Sequence, residues 1–313
     1  MTAPRRNLPG ECFIVRRFTI EDEHYLQPDA GSSAIVPYAI ARYAQLYEQT
    51  VCLVVQWADG YIAVFVDNAG ERSEFYRQCH GLLGRQLRKK FGLPAHHHLW
   101  ENGRPEDRVL LDEAAEIAAL LECCDTVLES RVDHIFDSPF LVFGPDQWGE
   151  EQTFTRPPGV DESLPETVTV VPMPPTQLQR RGVDEARRLV KRRIAQRSKF
   201  HQDRRYGPKE KQQHRVVRRE DVNAPKSVMV NATRHTLQTL ESRQRKPWKR
   251  YAGADNLVAR AEVEYEEFLK KYQKALRRLK DRGPRSAVFP PGTVFWRRVA
   301  NVTVESTRQR GTS

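Results

Sequence analysis

The chemistry-bearing residues of this chain are mostly cations, and they are concentrated in the C-terminal half. Arg187, Arg188, Lys191, Arg192, Arg193, Arg197 and Lys199 crowd one segment, and Arg204, Arg205, Lys209, Lys211, Arg215, Arg218 and Arg219 follow it. Arg243, Arg245, Lys246, Trp248, Lys249, Arg250 and Tyr251 then interleave cations with aromatic rings. Such runs neutralise phosphates and release their counterions. A ring set among them can stack on an unpaired base, worth ~1–3 kcal/mol per base. The competing reading of each run is a solvated face. Lys270–Arg278 is read that way, because Glu264, Glu266 and Glu267 precede its cations at helix-pair spacing. Nearer the start, Arg16, Arg17, Arg85, Arg88, Lys89 and Lys90 supply a smaller candidate patch.

Charge is divided unevenly. Residues 1–150 hold 14 Lys and Arg against 23 Asp and Glu, a formal −9, whereas residues 151–313 hold 37 against 18, a formal +19. A half this basic implies a polyanion partner, most simply nucleic acid. The acidic half would repel that partner outside its local patch. Either the basic arm folds back over it, or its acidic face meets a protein.

Other reactive groups are read as structural. His96, His97 and His98 are consecutive and cannot all face one metal in regular structure, so they are expected in a polar loop, although Glu101 and Glu106 are near in sequence. His80 follows an apolar-stripe cysteine and is expected at the surface or boundary. The five cysteines show no C-x₂-C spacing, which excludes a zinc ribbon or disulfide framework. Cys124 falls in an apolar stripe, where thiols are inert. Tyr61 has no predicted base beside it, so its phenol stays protonated. There is no glycine-rich phosphate loop and no G-x-S-x-G. No apolar run reaches the ~18–20 residues of a membrane span, and the first ten residues lack the apolar core of a signal peptide. A reducing, cytoplasmic location is expected.

These residues must be positioned by an α+β framework. Cys12–Arg17 reads as a strand, Ser33 as the cap of a helix over 34–48, and Val51–Trp57 as a buried strand. Asp59-Gly60 predicts a type I′ hairpin turn into the strand Tyr61–Val66. A helix over 72–92, a strand at Val109–Leu111 and a helix capped by Asp112 complete the order. That order is ferredoxin-like: an antiparallel sheet with helices on one face, over residues 1–145. Residues 146–181 are a proline-rich linker in which Thr167–Val171 adds one extended strand. Residues 182–313 read as a basic, mostly helical region, with helices at 182–199 and 254–280. Between these, 200–250 is expected to be disordered or to fold on binding.

Several pieces in this order resemble the single-tyrosine HUH transposases, in particular the REP-associated and insertion-sequence-like branch. They are Val15-Arg16-Arg17 with Tyr25-Leu26-Gln27-Pro28-Asp29, the hairpin Val54–Asp67, Leu87-Arg88-Lys89-Lys90 and Trp100-Glu101-Asn102. Val288-Phe289-Pro290-Pro291-Gly292-Thr293 and Trp296-Arg297-Arg298 resemble a C-terminal signature of the same branch. The resemblance implies a protein that handles single-stranded, often hairpin, DNA. In that family a His-hydrophobic-His motif holds a divalent metal that polarises the phosphate, and a tyrosine forms a covalent phosphotyrosine.

At the matching positions this chain has Gly60, Ile62 and Leu121, none of which can do that chemistry. Asp125-Thr126 stands where the family has Asn-Pro. The expectation is therefore a catalytically degenerate relative that binds single-stranded or hairpin DNA without strand transfer, needing no metal or other cofactor, and nucleoid-associated. One alternative is an active transposase, which would require Mg²⁺ or Mn²⁺. The other is a non-enzymatic adaptor that binds RNA or the ribosome through charge alone.

Overall fold

The two apolar runs form the centre of the sheet in a computed structural model that describes residues 4–20, 24–128, 135–205, 248–293 and 302–305. Its elements run β1 (Glu11–Phe18), α1 (Ala30–Leu46), β2 (Gln49–Trp57), β3 (Gly60–Asp67), α2 (Arg72–Phe91), β4 (Glu106–Leu110), α3 (Glu113–Leu128) and β5 (Leu141–Phe143). There follow β6 (Gln152–Thr155), β7 (Thr167–Val170), α4 (Thr176–Gln179), α5 (Val183–Arg205), β8 (Tyr251–Ala252), α6 (Asp255–Arg282), β9 (Val288–Phe289) and β10 (Thr303–Val304). Lys209, Lys211, Arg215, Arg218, Arg219, Arg243, Arg245, Lys246, Trp296, Arg297 and Arg298 lie outside the described residues. So does most of the 200–250 segment. Arg204 and Arg205 are placed only as backbone of α5.

The main sheet has the order β5-β2-β3-β1-β4-β8. The β2-β3-β1-β4 core is antiparallel throughout, the ferredoxin-like arrangement of an α+β domain. The sequence expectation of helices on one face needs correction. Phe13, Val15, Val54, Tyr61, Ala63 and Phe65 face a core built with α1 and α2. Cys12, Ile14, Val55, Ile62, Val64 and Val66 face a second core, closed by α3 and α5. All eight residues of β3 are buried. A continuous apolar strand needs cover on both sides. A register shift in β2 between Val51 and Leu53 puts Cys52 and Leu53 both into the α3–α5 core, as a bulge allows.

Two local expectations also change. Helix α1 starts earlier than expected, with Asp29 rather than Ser33 as its cap. Asp29 accepts from the Ser32 amide at 2.8 Å, and the Ser32 hydroxyl reaches back to the Asp29 amide at 3.1 Å. The β2–β3 loop is Ala58-Asp59, since Trp57 pairs with Gly60. Neither loop residue nor Gly60 has positive φ, so the turn is not type I′. Gly60 is required for closeness instead. A Cβ there would lie 2.6 Å from the Arg17 carbonyl oxygen and 2.9 Å from the Phe18 ring.

The proline-rich stretch packs against the domain. β6 and β7 form a hairpin that contributes Val168 to the α1–α2 core, and Tyr38 donates to the Pro165 carbonyl at 2.6 Å. Trp148 is fully buried and donates to the Cys52 carbonyl at 2.7 Å. Distant parts of the chain are also tied to the sheet. β8 adds in parallel to β4. Asp112 accepts from the Ala115 amide at 2.8 Å as the expected cap of α3, and also from the Ala254 amide at 2.6 Å.

Candidate nucleic-acid interface

The β1–β3 ladder brings the arginine end of β1 against the opening of β3. Phe18 pairs with Gly60, Arg17 with Tyr61 and Arg16 with Ile62. Directly opposed residues in an antiparallel pair share a sheet face, so Arg16 is the cross-strand neighbour of Ile62 on the α3–α5 side. Ile62 is 3% exposed, and Leu121 packs against the same core from α3. Gly60, Ile62 and Leu121 thus occupy one apolar side of the sheet. Beyond them Asp125 accepts from Arg197 through both carboxylate oxygens, each at 2.7 Å, and is 2.9 Å from His201. The end of α3 is therefore a strut to α5.

On the other face, Tyr61 lies beside His80, with Oη 2.5 Å from Nε2. The expectation of a surface or boundary His80 needs correction. It is buried and ringed by Tyr61, Tyr76 and Trp100. Burial, reinforced by Arg17 and Arg5, pushes its imidazole down to about 3. Burial holds the Tyr61 phenol well above its ordinary value. A neutral imidazole against a neutral phenol, both shut from solvent, is a packed polar pair. The tripeptide His96-His97-His98 is a loop as expected, with His97 3.2 Å from the Tyr25 hydroxyl. All five cysteines are buried and free, and burial raises every thiol.

The cations converge at the β1–β4 edge. One pocket of about 300 Å³ is lined by Arg16, Arg17, Phe18, Glu101, Asn102 and Arg104–Glu106. A second, of about 290 Å³, shares Arg104, Pro105 and Glu106 and continues past Arg5, Arg6, Arg72, Trp248, Arg250 and Tyr265. Together they present seven arginines and three carboxylates. Their supports are specific. Arg16 donates through Nε to Glu106 at 2.6 Å, and Arg5 pairs with Asp107 at 3.1 Å. Arg17 donates to the Gly103 carbonyl at 3.1 Å, and burial pulls its guanidinium below the ordinary value. Buried Arg72 anchors the floor through Glu11 at 3.2 Å and Asp107 at 3.5 Å.

Trp248 is held between two guanidiniums, 4.3 Å from Arg16 and 4.8 Å from Arg108. Arg250 lies 3.3 Å from the centre of the Tyr265 ring. The sequence expectation had placed Arg16 and Arg17 in one patch and Trp248 and Arg250 in another. The structure joins them. It adds Arg5, Arg6, Arg72 and Arg104, which sequence reading missed because they come from separate segments with no shared periodicity.

The other candidate cations stand elsewhere. On α2, Lys90 binds Asp29 at 2.5 Å, Lys89 the Gly159 carbonyl at 3.1 Å and Arg88 the His97 carbonyl at 3.3 Å, while Arg85 is exposed. On α5, Arg187 is tied to Asp184 and to the Pro145 and Trp148 carbonyls. Lys191 binds Asp146 at 2.6 Å. Arg188, Arg192, Arg193 and Lys199 are exposed on the same helix, and Lys249 is exposed just before β8. On α6, Glu264 is engaged, by Arg6 and Arg260 at 3.1 and 3.2 Å.

Among the described residues no three His, Cys, Asp or Glu side chains are grouped as a metal site, and no helix is long and apolar enough to cross a membrane. No protein-family model matches this chain, and no curated protein matches it. Among solved structures, a REP-associated tyrosine transposase bound to a REP hairpin is similar at 15% identity and a TM-score of 0.37, over 46% of this chain and 83% of that one.

Proposed function

We propose that this protein binds single-stranded or hairpin DNA along the arginine groove at the β1–β4 edge and does not cut or rejoin it. The observation that carries this reading is the pairing of Ile62 with Arg16. The resemblance expects a metal ligand at position 62; here an aliphatic residue is the cross-strand partner of Arg16, whose guanidinium is held by Glu106 and the Trp248 ring. A guanidinium binds phosphate bidentately, but it supplies no nucleophile. Tyr61, the tyrosine nearest the motif, points into the opposite core, is 2% exposed and keeps its proton. The hairpin preference comes from the sequence resemblance, and the groove supplies the charge that any such strand needs.

Competition binding tests it. The full chain is titrated with labelled hairpin DNA at ~150 mM salt, where only numerous or compact phosphate contacts survive. Duplex DNA of the same sequence and an RNA hairpin serve as competitors. The reading expects hairpin DNA to compete best. Equal competition by all three overturns it in favour of a general polyanion adaptor.

A further inference from the structure

Helix α6 carries a separate concentration of cations, on the side turned away from its packing. Its buried residues are Tyr265, Phe268 and Ala275, with Val258, Ala261, Leu269, Tyr272 and Leu279 packed beside them. At 3.6 residues per turn the other side holds Lys270, Lys271, Lys274, Arg277, Arg278 and Arg282, and all six are exposed. The sequence spacing of Glu264, Glu266 and Glu267 reads this run as an offset, solvated face. The structure corrects that reading. Glu264 is engaged by Arg6 and Arg260 instead. Glu266 and Glu267 reach no further than Lys270 and Lys271 at helix-pair spacing.

Beyond that reach, Lys274, Arg277, Arg278, Lys280, Arg282 and Arg285 are accompanied by one carboxylate, Asp281. The helix dipole favours cations within the last turn only. It accounts for Lys280 and Arg282 and not for the run from Lys270 to Arg278. The cations form two rows. Lys270 and Arg277 stand on one flank and Lys271, Arg278 and Arg282 on the other, about 110° apart around the axis, with Lys274 between them. A helix fits the major groove of a duplex, where phosphates of both strands form the two walls. Lys270 to Arg282 spans about 18 Å, or about five base pairs at ~3.4 Å each. The face carries no aromatic ring on which an unpaired base could stack. It also lacks the apolar side chains with which a helix enters a membrane surface. Among the described residues the exposed large hydrophobic of α6 is Val263, in the acidic half of the helix. Helix α5 differs on both counts: Arg187, Lys191 and Arg197 are paired with carboxylates, and Phe200 is exposed near its cations.

We infer that the Lys270–Arg282 face of α6 binds the double-stranded part of the DNA, lying in its major groove with one row of cations on the phosphates of each strand. This rests on the DNA-binding reading above and adds a second surface to it. The arginine groove holds a single-stranded flank, and α6 holds the stem beside it. The two surfaces are close. Tyr265 lines the groove, and Lys270 follows five residues later toward the other side of the helix, less than about 15 Å away.

The test uses the full chain and three DNAs: a hairpin with a single-stranded flank, the flank alone, and the blunt duplex of the stem. Affinities are read by fluorescence anisotropy over a range of salt. The hairpin should bind about tenfold or more tightly than the flank, as two linked contacts allow. The triple variant Lys270→Gln/Arg277→Gln/Arg278→Gln should bring that ratio below about twofold and lower the hairpin's salt slope by about two to three, at ~0.9 per lost phosphate contact. Its affinity for the flank should stay that of the native chain. Arg77→Gln/Arg180→Gln/Arg181→Gln removes three exposed charges elsewhere and should leave the ratio intact. Equal native affinity for hairpin and flank overturns the α6 inference and leaves the DNA-binding reading standing. An equal loss in both triple variants also overturns it, since net charge alone would then act. Binding to anionic phospholipid vesicles that the α6 variant abolishes, with its hairpin affinity unchanged, would make the face a membrane surface instead. Failure of all three DNAs to bind would remove the DNA-binding reading itself, and this inference with it.

Discussion

Ile62 lies directly across the β1–β3 ladder from Arg16, on the side of the sheet closed by α3 and α5. A buried aliphatic residue and an arginine are thus cross-strand partners. On the proposed reading, arginine meets phosphate there, and Ile62 offers no lone pair to a metal.

Gly60 is expected to tolerate no side chain. Its Cβ position is 2.6 Å from a backbone oxygen that cannot swing away. Gly60→Ala should lower stability by about 1–3 kcal/mol, the range for overpacking, read as a shift in the urea midpoint at unchanged slope. A change under about 0.3 kcal/mol would mean that the β1–β3 approach is looser than described.

Asp125 should be a structural strut. Its carboxylate is nearly buried and holds Arg197 and His201 from α5. Asp125→Ala is expected to cost about 1–3 kcal/mol, because it leaves donors without their acceptor. Arg197 is 42% exposed and recovers water as a partner, which keeps the loss at the lower end. Urea unfolding of the variant decides it, and a loss below about 0.5 kcal/mol would show that α5 docks through its apolar stripe alone.

His80 sets a pH dependence. Its folded-state value is pushed down to about 3, against about 6.5 for an unfolded histidine. Between those values the unfolded chain binds a proton that the folded chain refuses. Stability should therefore fall as pH drops from about 6.5 toward 3, at up to about 1.4 kcal/mol per pH unit from this group. Glutamine can keep a hydrogen bond to Tyr61 without titrating. Comparing urea unfolding of the native chain and His80→Gln from pH 7 to pH 4 should give a flatter profile for the variant. Parallel profiles would mean that His80 is protonated in place.

The groove itself predicts a salt signature. Arg104 is exposed and lines both pockets. Arg104→Ala should weaken DNA binding several-fold and lower the slope of log affinity against log salt by about one. An unchanged slope would place the phosphates elsewhere, with the exposed cations of α5 the next surface to probe.

Much of the framework was legible in the chain because it is written locally. The apolar runs of β2 and β3 mark central strands, and Asp112 marks the start of α3. Gly60 was legible as a special position but not for its reason: a turn glycine and a glycine under a neighbouring carbonyl look alike in sequence. The continuous burial of β3 already required two covered faces, yet the segment that supplies the second cover, α5, lies more than a hundred residues away. The groove was the least legible part. Arg5, Arg72, Arg104 and Arg250 have no common spacing, and three of them lie in the acidic half, where net charge argues against a polyanion site. Only the β4–β8 pairing and the docking of the N-terminal arm on α6 bring them together.

The most direct test of the central claim combines binding and chemistry in one tube. Labelled hairpin-bearing single-stranded DNA is incubated with the full chain in Mg²⁺, Mn²⁺ or EDTA, then resolved on native and denaturing gels. The account predicts a retarded complex of similar strength in all three conditions and no protein–DNA adduct that survives denaturation. A metal-dependent covalent adduct, abolished by a single Tyr→Phe change, would contradict it and make the protein an active strand-transfer enzyme.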